Sequence, residues 1–148
     1  MEKGLSLEAC MEETFDLETK DPTEYSSLAL AFIGDCVYDL IIKTIVLQEG
    51  NRQVNKLQAE TSRYVQASAQ SRMMRRMQEI LTEEEHAVYK RGRNAKSVSP
   101  AKNQSITDYR RATGFEALIG WLYLRKEYGR IMELVKEGLP ALEEPEEE

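Results

Sequence analysis

The chain has 148 residues, 41% of them hydrophobic and 31% charged, which fits a single soluble globular domain built around one core. No run approaches the ~20 apolar residues that span a bilayer, and the acidic start (Glu2, Glu8, Glu12, Glu13) carries no apolar signal segment, so a cytoplasmic protein is expected. The formal net charge of −6 hides a division: residues 1–24 hold eight acids and two bases, residues 137–148 hold six acids and no base, and residues 25–136 hold 18 bases and 12 acids. A basic body between acidic ends is a candidate for binding a phosphate backbone, although a solvated surface with compensating tails has the same pattern.

Residues 1–24 read as an acidic leader, partly ordered and broken at Asp21-Pro22. From Ser26 to about Glu49, Leu, Ala and Ile dominate, interrupted only by Asp35, Asp39 and Lys43, and the segment reads as one long, mostly buried helix. Cys36 within it reads as a small buried hydrophobe, and its separation from Cys10 suits neither a disulfide nor a zinc site. Gly50 stops this helix and Asn51 is a plausible cap for the next. Residues 53–65 and about 67–81 have helical apolar spacing without Pro or Gly, and Met73, Met74 and Met77 read as core or interface packing. Thr82 and Glu85 form a capping box that opens a helix to about Arg91. Residues 92–104 read as a loop. Ser105 or Thr107 caps a long helix to about Tyr128, and a last helix from about Gly129 to Glu137 stops at Gly138 and Pro140, leaving 139–148 as an acidic tail expected to be disordered. With no period-2 pattern anywhere, the fold class is all-α, with the main domain over 25–138.

Two carboxylates stand out. Asp35 lies in LALAFIGDCVYDLII and Glu116 in TGFEALIGWLYL, stretches that otherwise favour burial. A buried carboxylate costs several kcal/mol unless it is paired or holds a metal. The helical neighbours of Asp35 are Ala31, Phe32, Tyr38 and Asp39, and those of Glu116 are Ala112, Thr113, Ile119 and Gly120, so neither has a local base. Asp39 even places a second acid one turn from Asp35, which a hard cation such as Mg²⁺ would turn from repulsive to favourable. Pairing of each acid with a distant Arg or Lys is the alternative. Gly34, Gly114 and Gly120 each cost a helix about 1 kcal/mol relative to Ala, and such glycines suggest close contact between helices. One arrangement that fits is two long helices crossing closely, each bringing one carboxylate to the same metal.

Residues 72–111 hold ten of the 20 bases, including Lys90, Arg91, Arg93, Lys96, Lys102, Arg110 and Arg111, interleaved with donors such as Asn94 and Ser97. Few aromatics accompany them, which suits duplex RNA read through phosphates and 2′-hydroxyls better than stacked single strands. His86, among Glu83, Glu84 and Glu85, reads as a surface residue rather than a general base. No phosphate loop, HExxH or nucleophile elbow is present.

LALAFIGDCVYD (residues 28–39) resembles the ribonuclease III motif F-[LI]-G-D-[AC]-V, and FEALIGWLYL (115–124) resembles that family's second catalytic motif. KRGRNAKS (90–97) and DYRRATGFEALIG (108–120) are similar to Mini-III ribonucleases, the members without a double-stranded-RNA-binding domain. The resemblance covers roughly residues 25–138. It implies a homodimeric helical bundle that cuts double-stranded RNA to leave a 5′-phosphate and a 3′-hydroxyl. It further implies that Asp35 and Glu116 hold Mg²⁺, for which Mn²⁺ can substitute, with Asp39 as a possible accessory acid. Lys90, Arg91, Arg93, Asn94, Lys96, Ser97, Lys102, Arg110 and Arg111 become the expected RNA contacts. The implied substrate is the precursor of 23S ribosomal RNA, with a ribosomal protein on that RNA as a candidate further partner. Larger family members carry a Glu where this chain has Ala31 and an Asp where it has Thr113. A non-catalytic RNA-binding or assembly protein of the same fold is the rival reading, against which the intact Asp35 and Glu116 argue. A helical nucleotide hydrolase, with Glu79 to Glu85 as its acids, is a weaker rival.

Overall fold

The computed structural model describes residues 6–96 and 105–145, and every regular element among them is helical. The α-helices are α1 (Leu7–Phe15), α2 (Ser27–Gln48), α3 (Val54–Val65), α4 (Ala67–Met77), α5 (Glu83–Asn94), α6 (Ile106–Leu124) and α7 (Tyr128–Gly138), with 3-10 turns at Pro22–Glu24, Gln78–Ile80 and Leu139–Glu143. The expected all-α class holds.

Local chemistry sets most boundaries. Ser26 caps α2 through Ala29 N, and Ser105 caps α6 through Asp108 N. The Thr82–Glu85 capping box is formed in both directions, at 2.9 and 3.1 Å. Asn51 caps nothing: α3 begins after Gln53, with no side-chain cap. The helix expected to stop near Arg91 runs on to Asn94, taking Gly92 inside it. α6 ends at Leu124, earlier than Tyr128, because Lys126 takes a left-handed conformation (φ 61°) that turns the chain into α7.

α6 is the central element. Every residue from 112 to 122 is buried except Glu116, as expected of a helix that is apolar all round. Its glycines let neighbours approach to backbone contact. A Cβ on Gly34 would overlap the Glu116 carbonyl oxygen, and one on Gly120 would overlap that of Leu30, so α2 crosses α6 through both. On another side, a Cβ on Gly92 of α5 would lie 2.9 Å from Gly114 Cα and from Ala117 Cβ. Tyr38, fully buried, ties α2 to three other helices. Its hydroxyl donates to the Tyr64 carbonyl at 2.8 Å and lies 3.1 Å from Met73 Sδ, and its ring meets Phe115 edge-on at 4.9 Å. Met73, Met74 and Met77 are fully buried in this core, as one of their two expected roles required.

Three expectations change. First, α2 buries only one side: Leu30, Ala31, Gly34, Tyr38, Ile42 and Val46 face the core, whereas Phe32 is 77%, Leu40 57% and Leu47 59% exposed. Cys36 lies on the exposed side and is not a core residue. Second, the acidic leader, expected to be partly ordered, gains a specific element in α1, which docks through Tyr128 Oη to Glu8 Oε1 (2.8 Å) and Lys126 Nζ to Glu12 Oε1 (2.8 Å). Third, residues 139–145, assigned from sequence to a disordered tail, include a 3-10 turn with Ala141 buried; Arg72 Nη2 donates to its carbonyl at 2.8 Å, and Arg76 pairs with Glu144 at 2.8 Å.

Candidate active site

The α2–α6 crossing brings the two unusual acids together. Asp35 follows Gly34, the residue packed on the Glu116 carbonyl, so the backbone contact itself sets the carboxyls side by side. They lie close enough for each to feel the other's charge. Asp35 is exposed and Glu116 half-buried. Burial, first, and then the facing Asp35 carboxyl push the Glu116 carboxyl up to about 8, with the Gln70 side chain pulling it partly back. Burial and the neighbouring acid thus favour the protonated form of Glu116. No Arg or Lys figures in Glu116's surroundings, so the alternative of distant basic partners finds no support at that residue.

Asp39 pairs with Lys43 along α2 at 2.9 Å. Ala31 and Thr113 are buried, and the Thr113 hydroxyl donates to the Tyr109 carbonyl at 2.9 Å. Among the described residues no cluster of three or more Asp, Glu, His or Cys side chains forms. The donor set is thus two carboxylates with an amide beside them, oxygen chemistry that fits a hard divalent cation and not a soft one. Gln70, on α4, was not foreseen as a site residue. It is 1% exposed, and its Nε2 has no hydrogen-bond partner. Its signal was available: Gln70, Met73, Met74 and Met77 share the core-facing stripe of α4, so a polar residue sits where the pattern calls for an apolar one.

The basic residues divide. Lys90, Arg91, Asn94 and Lys96 line a concave surface against Ser26, Ser27 and Leu28 at the start of α2. That surface lies about 10 Å along α2 from Asp35 at 1.5 Å per residue. Arg93 instead lays its guanidinium over the Tyr89 ring, 5.6 Å from its centroid, with Nε 3.4 Å from Asn94 Oδ1. Arg110 is exposed, while Arg111 is half-buried with Nη1 3.5 Å from Ser71 Oγ. Ser97 and Lys102 lie outside the described residues. Ser26 and Ser27 were missed as part of the basic surface because only the fold brings α2's start beside α5's end.

Comparison with known proteins decides the family. The ribonuclease III domain matches residues 28–127, a span that contains both carboxylates and the crossing that joins them. The chain belongs to the ribonuclease III family. Endonucleolytic cleavage of double-stranded RNA is accordingly the activity of this ribonuclease, and enzymes of the family are generally metal-dependent. Among similar proteins, Mini-ribonuclease 3 of Clostridium tetani is 47% identical over 126 residues, covering 84% of this chain and 83% of that one. Mini-ribonuclease 3 of a Thermoanaerobacter species is 42% identical over 144 residues, covering 97% and 100%. A crystal structure of a Fusobacterium nucleatum protein superposes with a TM-score of 0.73 at 32% identity, over 79% of the ribonuclease and 95% of that chain. Among the described residues no helix is long and apolar enough to cross a membrane.

Proposed function

We propose that this ribonuclease binds Mg²⁺, or Mn²⁺ in its place, through Asp35 and Glu116, and works as a cytoplasmic homodimer that matures the precursor of 23S ribosomal RNA. The observation that carries the metal assignment is the pair of neighbouring carboxyls at the α2–α6 crossing, one of them desolvated and pushed up to about 8, with an amide beside them. When bound, the cation supplies charge stabilisation at the scissile phosphate and a water of lowered pKa. The chain's own residues do the rest. Asp35 and Glu116 are held in register by the Gly34 contact, so the site needs little rearrangement on binding. Lys90, Arg91 and Lys96, with Asn94, hold the duplex by its backbone, and Arg93 and Arg110 extend that surface. Arg111, tied toward Ser71, braces α6 against α4. Asp39, engaged by Lys43, is left as an accessory at most.

The dimer rests on α2. Leu28, Phe32, Cys36, Leu40 and Leu47 recur at spacings of four and seven residues on its exposed side. A stripe of large apolar side chains facing solvent marks an interaction surface. Asp35 adjoins it, so a two-fold axis through the stripe sets two sites near one interface, matched to the two strands of a duplex. The similarity to Mini-ribonuclease 3 proteins supports the ribosomal substrate, and a ribosomal protein on that RNA is the candidate helper.

The decisive test is cleavage of a long RNA duplex with Mg²⁺ by the parent, Asp35→Asn and Glu116→Gln at equal folded concentration. The reading requires that the parent cuts and that both variants bind duplex without cutting. A variant that cuts at the parental rate removes its residue from the metal site.

A further inference from the structure

Gln70 is an expensive residue where it stands. It lies in the core-facing stripe of α4 with Met73, Met74 and Met77, all buried, and its own exposure is 1%. Its Nε2 is one of the few described buried polar atoms without a hydrogen-bond partner, and the one whose side chain reaches Glu116. A buried amide donor left unpaired destabilises the fold, whereas a fourth methionine would fill the space without that penalty. Packing therefore does not explain the amide. The neighbouring Glu116 does: the amide already lies near enough to favour its ionised form, which carries more lone pairs than one cation can engage, and a neutral donor on one of its oxygens leaves the other for the metal. No other described side-chain donor acts on Glu116.

We propose that Gln70 is a positioning residue of the active site: its Nε2 donates to one oxygen of the ionised Glu116 and so turns the other toward the cation shared with Asp35. The inference rests on the two-carboxylate reading above. It gives the third position of the site to an amide, which orients a ligand without adding a third negative charge. Ligand-orienting partners of this kind act through metal affinity rather than substrate affinity.

The test compares the parent with Gln70→Met and Gln70→Leu, both of which keep an apolar core, and with Glu116→Gln. Mn²⁺ binding is measured directly by titration calorimetry, and KM and kcat on duplex RNA and metal-free thermal stability are recorded alongside. The expected result is Mn²⁺ binding weakened about 10-fold or more in the Gln70 variants. Their kcat falls, KM for the duplex is unchanged, and metal-free stability equals or exceeds that of the parent. Parental Mn²⁺ binding in a folded Gln70 variant overturns the proposal, as does reduced stability with metal binding intact, which is the signature of a packing role. Parental Mn²⁺ binding and cleavage in Glu116→Gln overturns the two-carboxylate reading itself and the proposal with it. Weak binding in Glu116→Gln together with parental binding in both Gln70 variants overturns the proposal alone.

Discussion

Gly34 and Glu116 are packed backbone to backbone, so closely that a Cβ on the glycine would overlap the carbonyl oxygen of the glutamate. Backbone cannot step aside as a flexible side chain can. Gly34→Ala is therefore expected to push α2 away from α6, destabilising the fold at or beyond the upper end of the usual overpacking range of about 1–3 kcal/mol. It also separates Asp35 from Glu116, so cleavage falls further than stability alone predicts. Gly129 in α7, where a Cβ would meet nothing within 4 Å, is the control. Gly129→Ala should be neutral or stabilise by up to about 1 kcal/mol. Denaturant unfolding and a cleavage assay on both variants check the pair.

The Glu116 carboxyl gives the metal-free protein a pH dependence of known sign. Its folded pKa is raised from 4.5 to about 8, so between those values the folded state binds more protons than the unfolded state. Stability contributed by this group is complete below pH 4.5, declines through that window, and changes no further above about 8. Glu116→Gln should accordingly be more stable than the parent at pH 8.5, by on the order of a few kcal/mol. The difference should vanish near pH 4.5, and Mg²⁺ should narrow it at high pH. Thermal melts across pH in a chelator measure this; parallel curves for the two proteins would count against a desolvated Glu116.

Arg130 and Glu85 make the best-defined buried ion pair, with Nη2 2.8 Å from Oε1 and Nε 2.8 Å from Oε2. Burial pushes the Glu85 carboxyl up, but Arg130 and the capping bonds of Thr82 more than offset it and hold it below the ordinary value. Its stabilisation is present above the unfolded-state pKa and is lost as pH falls through the lowered one. Arg130→Met strands the buried carboxylate and should cost about 3–5 kcal/mol at neutral pH. The variant should also lose less stability than the parent on acidification. Equal acid sensitivity would mean that the pair does not hold Glu85 ionised.

If the exposed side of α2 closes the homodimer, a charge placed in it should open the dimer. Phe32→Asp and Leu40→Asp are expected to sediment as folded monomers, with helical content retained because neither residue belongs to the core, and with duplex cleavage abolished. A parental sedimentation coefficient in both variants would remove this side of α2 from the interface.

Affinity for duplex RNA should rest on backbone charge. Lys90→Ala, Arg91→Ala and Lys96→Ala should each weaken binding regardless of sequence and reduce the slope of log K against log salt by roughly one for each phosphate no longer neutralised. Metal affinity should not move. An unchanged slope in all three would take the groove beside α2 out of the RNA surface.

Much of this protein is written locally. Helices were legible because apolar spacing, the Thr82–Glu85 box and the Ser26 and Ser105 caps act within a few residues. Asp35 and Glu116 were legible because each breaks an apolar stretch, and the glycines beside them signalled a close crossing. The leader helix was not, since α1 owes its place to Tyr128 and Lys126, more than a hundred residues away in the chain. Nor was the exposure of α2's second apolar side: hydropathy records that Phe32 and Leu40 avoid water, not whether their own chain covers them. Cys36 was misplaced for the same reason. Gln70 shows the limit most clearly. A polar residue on an apolar stripe is visible in the sequence, but which acceptor it meets depends on the element packed opposite, and that pairing exists only once α4 and α6 have met in the folded chain.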